Sequence, residues 1–155
     1  MEYCSPLWSP SEAGLTASLE KVQKLATRLV PGLKRRSYSQ SLKTLGLVTL
    51  AYRRLRSDLI LLFKLIRSDD PLKQRLFSIP KELNTRGHTL RLVKNHSRLK
   101  ARSNFFVNRV VLVWNSLPEF VVNSSSVNSF KHNLNVHFDG LSLKFDPTSR
   151  YNESA

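Results

Sequence analysis

The strongest periodic segment of the chain, LAYRRLRSDLILLFKLI at residues 50–66, decides the fold. Its apolar residues recur at steps of three and four, which places them on one face of an α-helix. They are Tyr52, Leu55, Leu59, Leu62, Phe63 and Ile66. The pattern predicts a core helix of about four turns. This helix ends before Asp69-Asp70-Pro71, which can cap a short helix running through Phe77.

Two helices are predicted upstream of this segment. Ser9 has the position of an N-cap for the first, and Pro31-Gly32 ends it. The apolar residues of this first helix share a face that we expect to be buried, and they are Leu15, Leu19, Val22, Ala26 and Leu29. The second helix is shorter, because it begins at a capping box of Ser37 and Gln40 and ends at Gly46.

Downstream of residue 87 the sequence predicts a ribbon and two helices. Residues 88–102 nearly alternate between polar and apolar side chains, which indicates a two-stranded β-ribbon. Asn104 can cap a helix that Pro118 closes, and a final helix follows Ser125. The buried faces of these two helices are predicted to contain Phe106, Val110, Val113, Trp114 and Leu117, and Val127, Phe130, Leu134 and Phe138. The predicted fold class is therefore mainly α, a small helical bundle with a short β-ribbon and a C-terminal helical pair.

These patterns divide the chain into consecutive regions. We expect a helical region at residues 9–77, a linker at 78–87, the ribbon and C-terminal helices at 88–138, and a frayed tail at 139–155.

The charge of the chain is strongly positive, and it is concentrated in the middle. There are 25 Lys and Arg against 11 Asp and Glu, a formal net charge of +14. The segment from Lys34 to Arg109 holds 19 of the basic residues and four of the acidic ones, so it carries +15 by itself. Nucleic-acid backbones are the commonest intracellular polyanions that such a field attracts. An acidic protein or a membrane surface would also suit the charge alone.

Two groups of cations are the candidate phosphate contacts. Arg53, Arg54 and Arg56 cluster in the first half of the core helix, where they oppose the helix dipole and where an anionic partner would explain them. The alternative is that Arg54 pairs with Asp58 one turn later. The second group lies in the predicted ribbon, where side chains two apart share a strand face: Arg91, Lys94, Arg98, Lys100 and Arg102. The alternative for this group is a solvated edge strand guarded by charge.

Several other kinds of site are excluded or disfavoured. Cys4 is the single cysteine, so neither a disulfide nor a cysteine-based zinc site can form within the chain. The longest apolar stretch, residues 59–66, is too short to span a bilayer, and the N-terminus lacks a signal-peptide pattern. We therefore expect an intracellular protein with no membrane partner. The spacings of the four histidines match no zinc finger, which favours structural or surface roles, and they are His88, His96, His132 and His137.

Three stretches, in order along the chain, resemble the C-terminal region of reverse transcriptases from non-LTR, LINE-type retrotransposons of the jockey-like kind. The first is residues 1–10 with residues 19–23 and 26–33, which is similar to the end of the palm running into the thumb. The second is residues 45–47 with Tyr52-Arg53-Arg54-Leu55-Arg56 and Asp58-Leu59. The third is Arg86-Gly87-His88, residues 104–106, Arg109-Val110, residues 114–118 and residues 127–131.

The resemblance implies a part of an RNA-directed DNA polymerase. Residues 1–8 would end the palm, residues 9–77 would be thumb-like, and fingers and active site would lie upstream of Met1 as partners. The family uses two Mg²⁺ ions held by palm aspartates, with an aromatic-x-Asp-Asp hairpin as its signature. That motif is absent from the sequence. The Asp69-Asp70 pair could be mistaken for it, but the pair precedes Pro71 and lies in a helix-cap context.

We therefore expect this chain alone to be inactive, with no catalytic residue, no bound metal and no cofactor. Its role would be to hold an RNA–DNA hybrid or DNA duplex by the backbone. Two alternatives remain: a stand-alone basic nucleic-acid-binding protein derived from such an element, and an inert pseudogene product.

Overall fold

The computed structural model describes residues 3–80, 88–139 and 142–148, and the chain is mainly helical, as the sequence predicts. The described helices are α1 (Ser5–Trp8), α2 (Ala13–Arg28), α3 (Tyr38–Leu45), α4 (Leu50–Arg67), α5 (Leu72–Leu76), α6 (Lys100–Ser103), α7 (Phe106–Asn115), α8 (Glu119–Val122) and α9 (Val127–His137). A 3-10 turn follows at Ser142–Lys144. In the described ranges, no helix combines the length and apolar character that a membrane span requires.

The chain divides into two compact units, and the boundary falls inside α4. Of the described residues, the first unit contains residues 3–56 and 142–148, and the second contains residues 57–80 and 88–139. This division differs from the predicted linker at residues 78–87. Residues 81–87 of that linker lie outside the described residues, whereas Ser78 pairs with Val93 inside the second unit.

In the first unit, α3 forms as predicted. The Gln40 backbone N–H donates to Ser37 Oγ at 3.3 Å, and the Ser37 N–H donates to Gln40 Oε1 at 3.1 Å. The helix ends at Gly46, whose φ of 63° favours a residue without a Cβ. Leu42 is fully buried. The local signals therefore set both ends of this helix.

Helix α2 packs with the opposite face to the one predicted. It begins at Ala13 without a side-chain cap, and its buried residues are Glu20, Gln23 and Thr27. The apolar stripe is instead largely solvent-exposed, with Leu29 at 86 %. The prediction of a buried Leu15, Val22 and Leu29 face was wrong.

The start of α4 explains why a polar face of α2 is buried. Both carboxylate oxygens of Glu20 accept from the Leu50 backbone N–H at 3.1 Å, and one also accepts from the Tyr38 hydroxyl at 2.7 Å. Gln23 Nε2 donates to the Val48 carbonyl at 2.9 Å. A helix N-terminus has backbone N–H groups without helical partners, and Glu20 satisfies one of them while adding a favourable negative charge.

Residues 142–148 are ordered against the same helix start, in contrast to the predicted frayed tail. The Thr49 N–H donates to the Lys144 carbonyl at 2.9 Å, and Thr49 Oγ1 donates to the Leu143 carbonyl at 2.8 Å. The Leu143 side chain is buried. The rest of the predicted tail, residues 140–141 and 149–155, lies outside the described residues.

The second unit has an aromatic and aliphatic core that agrees with the predicted helix faces. Phe63 of α4 stacks on Phe130 of α9 with ring centroids 4.2 Å apart, and Trp114 of α7 lies beside Phe130 at 6.1 Å. Trp114, Phe130 and Phe138 are fully buried. Trp114 is therefore a core residue, as predicted, and its ring is not available for base stacking.

The predicted ribbon at residues 88–102 is not confirmed. Within this fully described range there is no strand, and Val93 forms an isolated antiparallel bridge with Ser78. Leu99 is the N-cap of α6, so Lys100 and Arg102 lie on a short helical turn and not on one strand face.

Candidate nucleic-acid interface

The residues that replace the ribbon are held against α7 by side chains. Asn115 Oδ1 accepts from the Leu92 N–H at 3.0 Å, and Asn115 Nδ2 donates to the Leu92 carbonyl at 2.8 Å. Trp114 Nε1 donates to the Leu90 carbonyl at 2.8 Å. One carboxamide thus satisfies both backbone groups of Leu92, which a neighbouring strand would otherwise have to do.

His88 fixes the start of this segment. Its Nε2 lies 2.9 Å from the Trp114 carbonyl, and its Nδ1 accepts from the Leu90 N–H at 3.2 Å. Because Nδ1 accepts, the proton of the neutral ring is on Nε2 and is donated to Trp114. Burial lowers the pKa of His88, with a smaller contribution from the positive charge of Arg91, and together they outweigh the bond to the Trp114 carbonyl, which raises it. His88 is therefore a buried structural histidine.

The turn between α6 and α7 is anchored from inside α7. Asn108 Nδ2 donates to the Arg102 carbonyl at 2.8 Å, and an Arg109 guanidinium N–H donates to the Asn104 carbonyl at 3.1 Å. The backbone N–H of Phe105 also donates to the Arg102 carbonyl, at 3.3 Å. These bonds position the backbone from residue 102 to residue 105.

Arg109 is itself held by Asp58 of α4. Its Nε and a terminal nitrogen donate to the two carboxylate oxygens of Asp58, at 2.9 Å and 3.1 Å. The Asp58 side chain is only 6 % exposed. A bidentate guanidinium–carboxylate pair of this kind is directional and rigid. The charge of Arg109 is therefore balanced inside the unit, and the residue supports the turn.

The predicted cations of the second group lie on the backbone that these hydrogen bonds from α7 hold, which we call the frame. Lys94, Arg98, Lys100 and Arg102 are exposed, and Arg91 is half-buried. Residues 88–118 contain no Asp or Glu, so no carboxylate of the same stretch offsets their charge. The structure thus places all of this group on the second unit, in a stretch whose two ends are hydrogen-bonded to α7.

The first group of predicted cations lies in the first unit, and its members differ in solvent exposure. Arg53 and Arg56 are half-buried, whereas Arg54 is only 4 % exposed. Burial of this helix extends beyond its apolar stripe, since Asp58 four residues later is buried too. A buried guanidinium does not suit a contact with a phosphate in solvent, so Arg54 is left out of the proposed contacts.

Sequence reasoning also passed over exposed cations. Lys34 and Arg35 follow α2 and are exposed, and neighbouring Arg36 donates to Thr44 Oγ1 at 3.0 Å. The signal was present, because three consecutive cations open the basic segment. Phe105, an aromatic beside the second group, was also not predicted as a site and is 47 % exposed.

Asp69 and Asp70 stand where a helix cap is expected. Both are exposed, and Asp70 Oδ1 accepts from the Leu72 N–H at 2.8 Å at the start of α5. Among the residues that the structure describes, no three His, Cys, Asp or Glu side chains are grouped so that they could hold a metal ion.

Comparisons of the chain with protein-family models, with curated proteins and with solved structures yielded no match. The resemblance to non-LTR reverse transcriptases therefore depends on the sequence stretches quoted above. The hydrogen bonds and the exposed cations described above do not depend on that resemblance.

Proposed function

We propose that this chain is a nucleic-acid-binding module that holds a template–primer duplex by its phosphate backbone, as the region after the palm of a non-LTR reverse transcriptase. The exposed cations Lys94, Arg98, Lys100 and Arg102 carry the proposal, because they stand on a hydrogen-bonded frame in a stretch without acidic residues. The reverse-transcriptase part of the proposal is supported by the sequence resemblance.

The frame matters for affinity as well as for position. Lys and Arg contacts to phosphates release condensed counterions, which makes binding favourable and dependent on salt. Such contacts orient a duplex without reading its sequence. Because Asn115, Asn108 and Arg109 already hold the backbone of this stretch, less ordering cost is paid on binding than for a free loop. We therefore propose similar binding to RNA–DNA hybrid and duplex DNA, in an intracellular setting and beside an upstream palm and fingers.

The test is a charge reversal measured over a range of salt concentrations. We expect Lys100→Glu with Arg102→Glu to weaken binding of labelled RNA–DNA hybrid and of duplex DNA alike. Each lost phosphate contact should reduce the steepness of log affinity against log salt by about 0.9 on duplex DNA. Fluorescence anisotropy titrations at several salt concentrations give both quantities.

Lys21→Glu with Lys24→Glu is the matched control, since it reverses two exposed charges of α2 and changes the net charge equally. It should change affinity much less. Arg53→Glu with Arg56→Glu should weaken binding if the first unit also contributes contacts. Equal losses from the α2 and α6 pairs would show that only net charge matters. An affinity that is insensitive to salt would rule out phosphate contacts as the basis of binding.

A further inference from the structure

Phe105 is the N-cap residue of α7, and its side chain is exposed. It is 47 % exposed, whereas the adjacent Phe106 is buried and packs edge-on against Phe77, with ring centroids 6.3 Å apart. Among residues 3–80, 88–139 and 142–148, no other aromatic ring or cation lies against the Phe105 ring. Lys100 and Arg102, five and three residues before it in the chain, are exposed cations.

The backbone of Phe105 is fixed on both sides. Its N–H donates to the Arg102 carbonyl, and its own carbonyl accepts from the N–H groups of Asn108 and Arg109 at 3.0 Å and 3.1 Å. The Asp58 carboxylate in turn holds Arg109. Because these bonds already hold the backbone, stacking of a flat ligand on Phe105 has to order only its side chain.

We propose that Phe105 stacks on an unpaired base of the bound nucleic acid while Lys100 and Arg102 contact the adjoining phosphates. The inference rests on the proposed function and names its substrate class: a strand with at least one unpaired nucleotide, such as a single-stranded overhang beside a duplex. Bases inside a duplex are stacked on both faces, so they offer no free face to Phe105. Every base has a π-face, so this contact tolerates any sequence.

The experiment compares three ligands of equal length: a single-stranded oligothymidine, an abasic sugar-phosphate strand and a blunt DNA duplex. Phe105→Ala should weaken binding of the oligothymidine roughly 5- to 150-fold, the ratio for loss of one stacked base. It should leave binding of the abasic strand and of the duplex unchanged. Phe105→Trp should retain affinity for the oligothymidine, and Phe105→Leu, which keeps an apolar side chain on the turn, should not.

Phe120→Ala is the matched control, because Phe120 is 55 % exposed in the same unit but follows the exposed carboxylate of Glu119. It should change binding of none of the three ligands. An equal loss from Phe105→Ala on the oligothymidine and the abasic strand, or no loss on either, would overturn the stacking contact. If Lys100→Glu with Arg102→Glu still weakens binding in a salt-dependent way, the proposed function stands without it. If the unmodified chain shows no salt-dependent binding, both fail.

Discussion

At the scale of single residues, His88 shows how a titratable side chain can hold two parts of the backbone together by hydrogen bonds. Its neutral ring both donates to the Trp114 carbonyl and accepts from the Leu90 N–H. Protonation would put a second hydrogen on Nδ1, facing the Leu90 N–H, and would charge a buried ring. Both effects oppose protonation in the folded state, which agrees with the lowered pKa of His88.

The folded protein should therefore lose stability as the pH falls below about 6.5. The unfolded chain binds a proton at His88 near the ordinary value of 6.5, whereas the folded chain binds it only at lower pH. Between these two pKa values the free energy of unfolding falls with decreasing pH, by up to about 1.4 kcal/mol per pH unit for each such group. Urea unfolding at pH 7, 6 and 5 measures this slope.

His88→Gln should flatten the slope while lowering stability at pH 7 by about 1–3 kcal/mol, because the Leu90 N–H loses its acceptor. His137, whose pKa is also lowered by burial, accounts for a remaining slope. Exposed His96 provides the control, and His96→Gln should leave the stability at pH 7 unchanged. An undiminished slope in His88→Gln would contradict the role of this ring.

At the scale of elements, α3 and α2 show what a sequence pattern does and does not determine. The capping box and Gly46 are local signals within nine residues of each other, so the bounds of α3 were predictable. The orientation of α2 depends on Leu50, which lies 30 residues from Glu20. Periodicity identifies an apolar face but not whether a partner covers it, and the need to satisfy the start of α4 decided the packing.

The two faces of α2 should therefore respond to substitution in the reverse of the usual order. Val22→Ser or Leu25→Ser, on the exposed apolar face, should change the free energy of unfolding by no more than about 0.5 kcal/mol. Glu20→Gln should cost about 1–3 kcal/mol, since it removes a negative charge from the start of α4 and turns one acceptor into a donor. Urea unfolding at neutral pH ranks the variants. A larger loss from Val22→Ser than from Glu20→Gln would mean that α2 packs through its apolar stripe.

At the scale of the whole molecule, the class of the fold and the abundance of cations could be predicted from the sequence. The hydrogen bonds that hold the backbone carrying these cations could not. Lys94, Arg98, Lys100 and Arg102 were predicted as contacts and are exposed. Their setting was not predictable, because the bonds from Asn115 to Leu92 and from Arg109 to Asp58 join residues 23 and 51 positions apart. Burial of Arg54 was not predicted either.

We predict that the chain by itself does not catalyse DNA synthesis. We expect the purified protein to extend no primer in the presence of Mg²⁺, primed template and deoxynucleotides. The sequence contains no aromatic-x-Asp-Asp motif, and Asp70 is engaged at the start of α5. A primer-extension assay with a no-protein control checks this. Extension that Asp69→Ala abolishes would show instead that the Asp69-Asp70 pair supports nucleotidyl transfer.

The attachment of residues 88–93 to α7 also sets how much mutation this surface tolerates. Neighbouring strands pair through backbone groups that every residue except proline supplies, so a sheet keeps its pairing through many replacements. Here the pairing depends on the side chains of Trp114, Asn115 and His88. Asn115→Asp, a change of one atom, would set a carboxylate oxygen against the Leu92 carbonyl. Replacement of Lys94, Arg98, Lys100 or Arg102 should therefore leave the attachment of this stretch to α7 intact. Replacement of His88, Trp114 or Asn115 should break it.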